Sequence, residues 1–236
     1  MSRPKYETLH IYGDMLLPSC DGQGWDVSTQ RMDELDKTTL AFVQEAIKDK
    51  PDFHVIDLGG GSGRHSLRMA QMGARATMVD VNDVSKSFDD AVTANIVPEG
   101  ALQMVAKNFA DLNVSQDLQP YDMIYSQRAL NYLPYLVFER VMRDLVSNLP
   151  KGGKVFMSLA GWETEYGQSF PLRDAPLEER YGKLTEEMQK KHAIYNPLTP
   201  YKAEEVGALF EGLGLEIESL TTSTFGNVKV IADKLV

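Results

Sequence analysis

Short apolar runs alternate with amphipathic stretches along this chain, and glycine or proline punctuates nearly every change from one to the other. That rhythm predicts the elements. Ser28 or Thr29 can cap a helix running to about Lys48, with Met32, Leu35, Phe42, Val43 and Ile47 near helical spacing, and Pro51 breaks it. His54–Leu58 reads as a strand, followed by a glycine cluster and a helix from about Arg64 to Met72 that Gly73 stops. Ala76–Val79 is a second strand, ending at Asp80. A helix is expected around Val84–Asn95, a third strand at Leu102–Ala106 and a fourth at Tyr121–Tyr125. Tyr135–Leu149 is amphipathic, with Leu136, Val137, Val141, Met142 and Leu145 as its candidate buried face. Pro150–Gly153 is a turn before a fifth strand, Lys154–Leu159.

Strands alternating with helices at this spacing imply a parallel sheet covered on both faces. From about Gly161 to Pro200 the rhythm fails: the stretch is polar, aromatic and proline-punctuated, with one helix expected around Leu177–Lys191. Lys202–Leu213 is a helix stopped by Gly214. Leu215–Leu220 and Val228–Ala232 are then two strands joined around Gly226-Asn227, an antiparallel pair. The expected fold is therefore a doubly wound, mostly parallel seven-stranded α/β sheet with an antiparallel C-terminal strand.

Composition narrows the class. With 43% hydrophobic and 25% charged residues the 236-residue chain is globular in character, and no apolar run approaches the roughly 20 residues that span a bilayer. No secretory apolar segment follows Met1, and Cys20 is the sole cysteine, which rules out an intrachain disulfide and argues against a thiolate metal cluster. The cytoplasm is the expected compartment, and no metal is expected. A formal charge of −10, with Lys and Arg scattered, argues against nucleic acid and favours a small molecule or a protein as substrate.

Candidate chemistry begins at Asp57-Leu58-Gly59-Gly60-Gly61-Ser62-Gly63, between a strand and a helix. Glycines there let the backbone turn tightly and approach a ligand with no Cβ in the way, and the following helix start offers unpaired amides. The dinucleotide fingerprint Gly-x-Gly-x-x-Gly does not fit, because its third glycine would fall on Ser66 or Arg64. What fits is acid-x-Gly-x-Gly-x-Gly, with Asp57, Gly59, Gly61 and Gly63 in register. The chain here resembles the class I (Rossmann-like) S-adenosylmethionine-dependent methyltransferases.

The resemblance extends over roughly residues 51–160 and 198–236. It places Asp80, at the end of the second strand, on the ribose hydroxyls, and Asn108 with Phe109 at the adenine, where family members often carry Asp in place of Asn108. Tyr121 through Pro134 resembles the fourth-strand motif, whose backbone past the strand, at Gln127, faces the methionine end of the cofactor. Leu198-Thr199-Pro200-Tyr201 through Leu215 resembles the last helix and sixth strand. The implied cofactor is S-adenosyl-L-methionine and the product S-adenosyl-L-homocysteine. The implied organisation is one domain: residues 1–50 an N-terminal cap and helix, 51–160 the cofactor-binding core, 161–200 a lid and substrate insertion, and 201–236 the C-terminal helix and strand pair.

Several subclasses are disfavoured. Ser126-Gln127-Arg128-Ala129 stands where amino-methylating enzymes carry Asn/Asp-Pro-Pro-aromatic, Cys20 lies far from the Pro-Cys region of cytosine enzymes, and Ala160-Gly161-Trp162 replaces the Asp-Asn pair of magnesium-dependent catechol-type enzymes. A small-molecule methyltransferase is favoured. An RNA or protein methyltransferase, or a non-catalytic S-adenosylmethionine-binding protein, stands as the alternative. Ligands of doubly wound sheets bind beyond the carboxyl ends of the strands, so the 161–200 insertion emerges beside the cofactor. Tyr132, Trp162 and Tyr195 are candidate substrate walls, and residues 1–27, with Tyr12 and Trp25, are expected to close over the same site. The family has no universal catalytic residue; should a base be required, His192, Glu163 and Tyr166 are the candidates on position alone. His65 reads equally as packed or functional, and Glu178-Glu179-Arg180 and Glu186-Glu187 as a solvated helix face. The oligomeric state is open.

Overall fold

The computed structural model describes residues 32–235, together with residues 17–18, 23 and 25–26. Cys20, Ser28, Thr29 and Tyr12 lie outside the described residues, as does the side chain of Trp25. Leu17–Pro18 (β1) and Trp25–Asp26 (β2) form a two-residue antiparallel pair. The main sheet has seven strands in the order β5-β4-β3-β6-β7-β9-β8: β3 (His54–Leu58), β4 (Arg75–Asp80), β5 (Leu102–Ala106), β6 (Met123–Gln127), β7 (Lys154–Leu159), β8 (Leu215–Thr222) and β9 (Val228–Lys234). The first five of these are mutually parallel, and β9 runs antiparallel between β7 and β8. The expected fold class is the observed one.

Alternation along the central strands builds two cores, because successive side chains of a strand point to opposite faces. Ile56, Leu58, Ile124, Val155, Met157 and Leu159 enter one cluster, under α5 (Tyr135–Asn148) and α8 (Ala203–Gly212). Val55, Met123, Tyr125 and Phe156 enter the other, under α1 (Glu34–Asp49) and α2 (Arg64–Met72). Every residue of β3 is buried, as a strand covered on both faces must be.

Helix boundaries follow their caps. α1 starts one turn later than the helical spacing suggested, because Asp33 accepts from the amides of Leu35 (2.8 Å) and Asp36 (3.2 Å) while Asp36 accepts from the amide of Asp33 (2.8 Å). α2 stops at Gly73, which is left-handed, as the sequence indicated. In α5 the buried stripe is Phe138, Val141, Met142, Leu145 and Val146; Leu136, expected inside, is 61% exposed. The stripe begins at Phe138, two residues further on, with Val137 partly buried against the same core. The remaining helices of the core are α3 (Ser85–Thr93) and the one-turn α4 (Val114–Asp117).

Between β7 and α8 the expected single helix over 177–191 does not form. A 3-10 turn at Leu177–Glu179 and α7 (Glu186–His192) flank an extended stretch in which Gly182 bridges Leu198; the one-turn α6 (Glu165–Gln168) precedes them. This insertion has a core of its own, formed by Phe170, Leu184, Met188, Ile194 and Leu198. Arg180 is not on a solvated face either. It is 3% exposed and makes two 2.8 Å hydrogen bonds to the Glu205 carboxylate at the start of α8. Its fork geometry matches a carboxylate, so a buried pair of this kind ties the insertion to the domain. No helix among the described residues is long and apolar enough to cross a membrane.

Candidate active site

The carboxyl ends of β3, β4 and β6 meet at the point where strand order reverses, and the glycine loop crosses there. Gly59, Gly61 and Gly63 all have positive φ (+73°, +58° and +74°). At Gly59 the requirement is twofold, since a Cβ would also lie 2.1 Å from the Ala129 Cβ just past β6. The Gly59 amide donates to the Val79 carbonyl at 2.8 Å, which stitches the loop to β4.

Two carboxylates lie beneath and beside this loop. Asp57, 1% exposed, accepts from the Ser66 hydroxyl at 2.6 Å through Oδ2, while Oδ1 is buried with no hydrogen-bond partner. Burial, reinforced by the charges of Asp80 and Asp36 and opposed by the Ser66 hydrogen bond, raises its pKa to about 7. Asp80, 7% exposed, accepts from the Gly61 amide at 3.0 Å and the Asn82 amide at 2.9 Å.

The Asp57 shift makes a stability prediction. The unfolded chain releases this proton near 3.8 and the folded chain only near 7, so the folded state binds more protons between those values and stability falls as pH rises through that window. A shift of that size corresponds to roughly 4 kcal/mol as an upper figure. Asp57→Asn keeps an acceptor for Ser66 and removes the charge. Its ligand-free melting temperature should exceed that of the parent by several degrees near pH 8 and match it near pH 4. A parallel shift at both pH values would show that Asp57 is not the titrating group.

The remaining candidates distribute as follows. Asn108 caps the 3-10 turn Phe109–Asp111 by accepting from the Ala110 amide at 2.9 Å, and the Phe109 ring reaches within 3.4 Å of a Cβ position on Gly59. Gln127 ends β6, and its Nε2 is buried without a partner. Tyr132 and Tyr166 each pack against the insertion core, and the Tyr132 hydroxyl donates to the Gln23 carbonyl at 2.8 Å. Gln23 also bridges Ile194, so the N-terminal segment reaches the insertion. His192 lies edge-on to Tyr166, ring centroids 5.2 Å apart, and its Nε2 is 3.3 Å from Glu165. Glu163 is exposed, and Tyr195 is 48% exposed. Trp162 is hemmed in by cations: Arg173, Arg180 and Lys202 lie 4.2, 4.5 and 4.6 Å from its ring centroid. Among the described residues no group of three His, Cys, Asp or Glu side chains is arranged to hold a metal ion.

Sequence reasoning leaves two residues undecided: His65, open between a packed and a functional role, and one that it does not single out. His65 is packed, stacked on Tyr125 at 4.2 Å, and burial, with Arg68 adding, lowers its pKa to about 3, so it is neutral. Tyr125 in turn donates to Asp36 of α1. Arg128 is the other. It directly follows β6 with a φ of +53°, a conformation no sequence pattern signals for arginine.

A family model described as a methyltransferase domain matches residues 29–220. The chain belongs to this methyltransferase-domain family. Among curated relatives, a trans-aconitate 2-methyltransferase of Deinococcus radiodurans is 28% identical over 111 residues, covering 47% of this chain and 39% of that protein. A sterol 4-C-methyltransferase of Caenorhabditis elegans is 25% identical over 125 residues, 53% of this chain and 36% of that protein. The chain thus spans less than half the length of these relatives. Among solved structures, the 1,6-didemethyltoxoflavin-N1-methyltransferase of Burkholderia thailandensis, with that compound and S-adenosylhomocysteine bound, superposes at a TM-score of 0.61 with 13% identity, over 89% of this chain and 82% of that one. The magnesium protoporphyrin IX methyltransferase of Synechocystis, with S-adenosylmethionine bound, gives 0.55 at 17% identity, over 84% and 77%. At these identities the structural likeness shows a shared Rossmann-like methyltransferase fold.

Proposed function

We propose that this methyltransferase-domain protein binds S-adenosylmethionine and transfers its methyl group to a small-molecule acceptor. The observation that carries the reading is the glycine-rich loop at Gly59–Gly63 set over the buried carboxylates of Asp57 and Asp80. An unpartnered carboxylate oxygen under such a loop suits a cationic, hydrogen-bonding ligand better than the phosphates of a dinucleotide.

In this reading Asp57, with the loop glycines Gly59, Gly61 and Gly63, and Gln127 hold the amino-acid end. Asp80 accepts from the ribose hydroxyls, and Asn108 with Phe109 borders the adenine. The bound sulfonium supplies an electrophilic methyl group. The chain must then hold a nucleophile in line and exclude water. Tyr132 is assigned to the acceptor side together with Trp162 and Tyr195, which belong to the 161–200 insertion that acts as a lid. Should the nucleophile be protonated, His192 or Tyr166, which touch each other, are better placed to act as one unit than the exposed Glu163. The relatives and neighbours support a small acceptor by their names: trans-aconitate, a sterol, 1,6-didemethyltoxoflavin and magnesium protoporphyrin IX. The single cysteine suits a reducing compartment, and the cytoplasm is the proposed location.

Calorimetric titration with S-adenosylmethionine and S-adenosylhomocysteine tests the reading; protein that ignores both overturns it. Transfer of labelled methyl to small metabolites, but not to tRNA or lysate protein, is the expected assay result. Asp80→Ala should weaken cofactor binding by roughly 10–100-fold through the loss of two charge-assisted hydrogen bonds, with the fold intact. Asp80→Asn, which keeps an acceptor for the Gly61 amide, separates ribose binding from loop ordering. If Asn restores full affinity, Asp80 serves the loop alone.

A further inference from the structure

We infer that Arg128 is the anchor for a carboxylate on the methyl acceptor. The inference rests on the proposed methyl transfer and names its substrate class.

Arg128 leaves the carboxyl end of β6, beside β3 at the reversal of strand order, and the next residue, Ala129, touches the glycine loop. Its amide donates to the Ser158 carbonyl at 2.8 Å, which locks the peptide in a left-handed conformation. For a residue with a side chain that conformation costs about 1–2 kcal/mol, and here it fixes the backbone from which the side chain leaves the sheet.

Arg128 is half-buried, and its guanidinium has neither a hydrogen-bond nor an ion-pair partner among the described residues. The other described arginines are engaged. Arg75 meets Gln119, Arg140 the Ala110 carbonyl, Arg143 Glu139, Arg173 two carbonyls of the insertion and Arg180 Glu205, while Arg64 and Arg68 also have interactions. A half-buried cation without a counter-charge is unfavourable in the ligand-free protein, and an arriving anion relieves it.

What surrounds Arg128 favours an organic anion. Its charge acts on the phenols of Tyr132 and Tyr166, both of which burial keeps protonated, so they are neutral neighbours and not counter-ions. The same two rings lie against the apolar insertion core. A planar fork of N–H donors near two neutral phenols that themselves pack on an apolar core matches a carboxylate attached to a compact hydrophobic body.

The experiment uses the full chain saturated with S-adenosylhomocysteine. Benzoate, cinnamate, itaconate and citrate are titrated, each against its neutral amide. At least one carboxylate should bind about 10-fold or more tighter than its amide. In Arg128→Gln that preference should fall to within about 2-fold, and Arg128→Lys should keep an intermediate preference, as a point charge lacking the bidentate fork. S-adenosylhomocysteine affinity should change by less than about 3-fold in both variants, which also shows that they fold. No preference for any carboxylate in the parent protein, or a preference that survives Arg128→Gln, overturns the proposal. A loss of S-adenosylhomocysteine affinity in Arg128→Gln overturns it too, since Arg128 would then serve the cofactor's own carboxylate. Parent protein that fails to bind S-adenosylhomocysteine at all overturns instead the function on which the proposal rests.

Discussion

Gly59→Ala should weaken S-adenosylmethionine binding by more than about 100-fold and lower stability by roughly 2–4 kcal/mol. Two independent effects combine. The residue sits at φ +73°, where a side chain is disfavoured, and its Cβ would fall 2.1 Å from the Ala129 Cβ. Ala129 has no flexible side chain to swing aside, so either the loop or the edge of β6 must move. Both movements displace the loop from the carboxylates it covers, and the Gly59 amide would also leave the Val79 carbonyl. The double variant Gly59→Ala with Ala129→Gly removes the clash and keeps the backbone strain. It should recover most of the affinity and only part of the stability, a coupling that denaturant titration and calorimetry measure together. Equal damage in the single and double variants would place the cause in backbone conformation alone.

Gly226→Ala should cost a further class of stability, roughly 2–5 kcal/mol, at a site far from the glycine loop in sequence. Gly226 turns the chain between β8 and β9 at φ +82°, and a Cβ there would lie 2.2 Å from the backbone of Glu163 and Thr164. The contact is reciprocal: a Cβ on Gly161 would lie 1.8 Å from the Gly226 carbonyl oxygen. Backbone packs directly on backbone, with no side chain to yield. The substitution should therefore loosen the start of the insertion as well as the hairpin. The expected signature is a lower urea midpoint together with faster proteolytic cleavage within residues 161–200. A midpoint unchanged within error would mean that the hairpin and the insertion separate without penalty.

Much of the architecture was legible because it depends on local pattern. The 54–58 and 154–159 strands are apolar runs between turn signals, and Gly73 and Gly214 close helices as glycines do. The glycine loop was legible because its chemistry is contained in seven consecutive residues, and Asp80 because its distance from that loop is set by one helix and one strand. Where the reading failed, the deciding partner was remote in sequence. The helix expected over 177–191 breaks because Gly182 bridges Leu198, and Arg180 leaves the solvated face because Glu205 is there to pair with it. The cations around the Trp162 ring, Arg173, Arg180 and Lys202, are likewise brought there by folding and not by their order along the chain.

From sequence alone came the strand–helix rhythm, the glycine loop and its two acidic companions, because each depends on residues close enough along the chain to act through local geometry. The tertiary structure decided the rest: that β9 inserts antiparallel between β7 and β8, that Asp57 lies buried deeply enough to hold its proton to about pH 7, and that Arg128 leaves the sheet as a half-buried cation beside two tyrosines. Desolvation and charge pairing depend on what surrounds a group in space, and a linear order of residues carries that information only once the chain has folded.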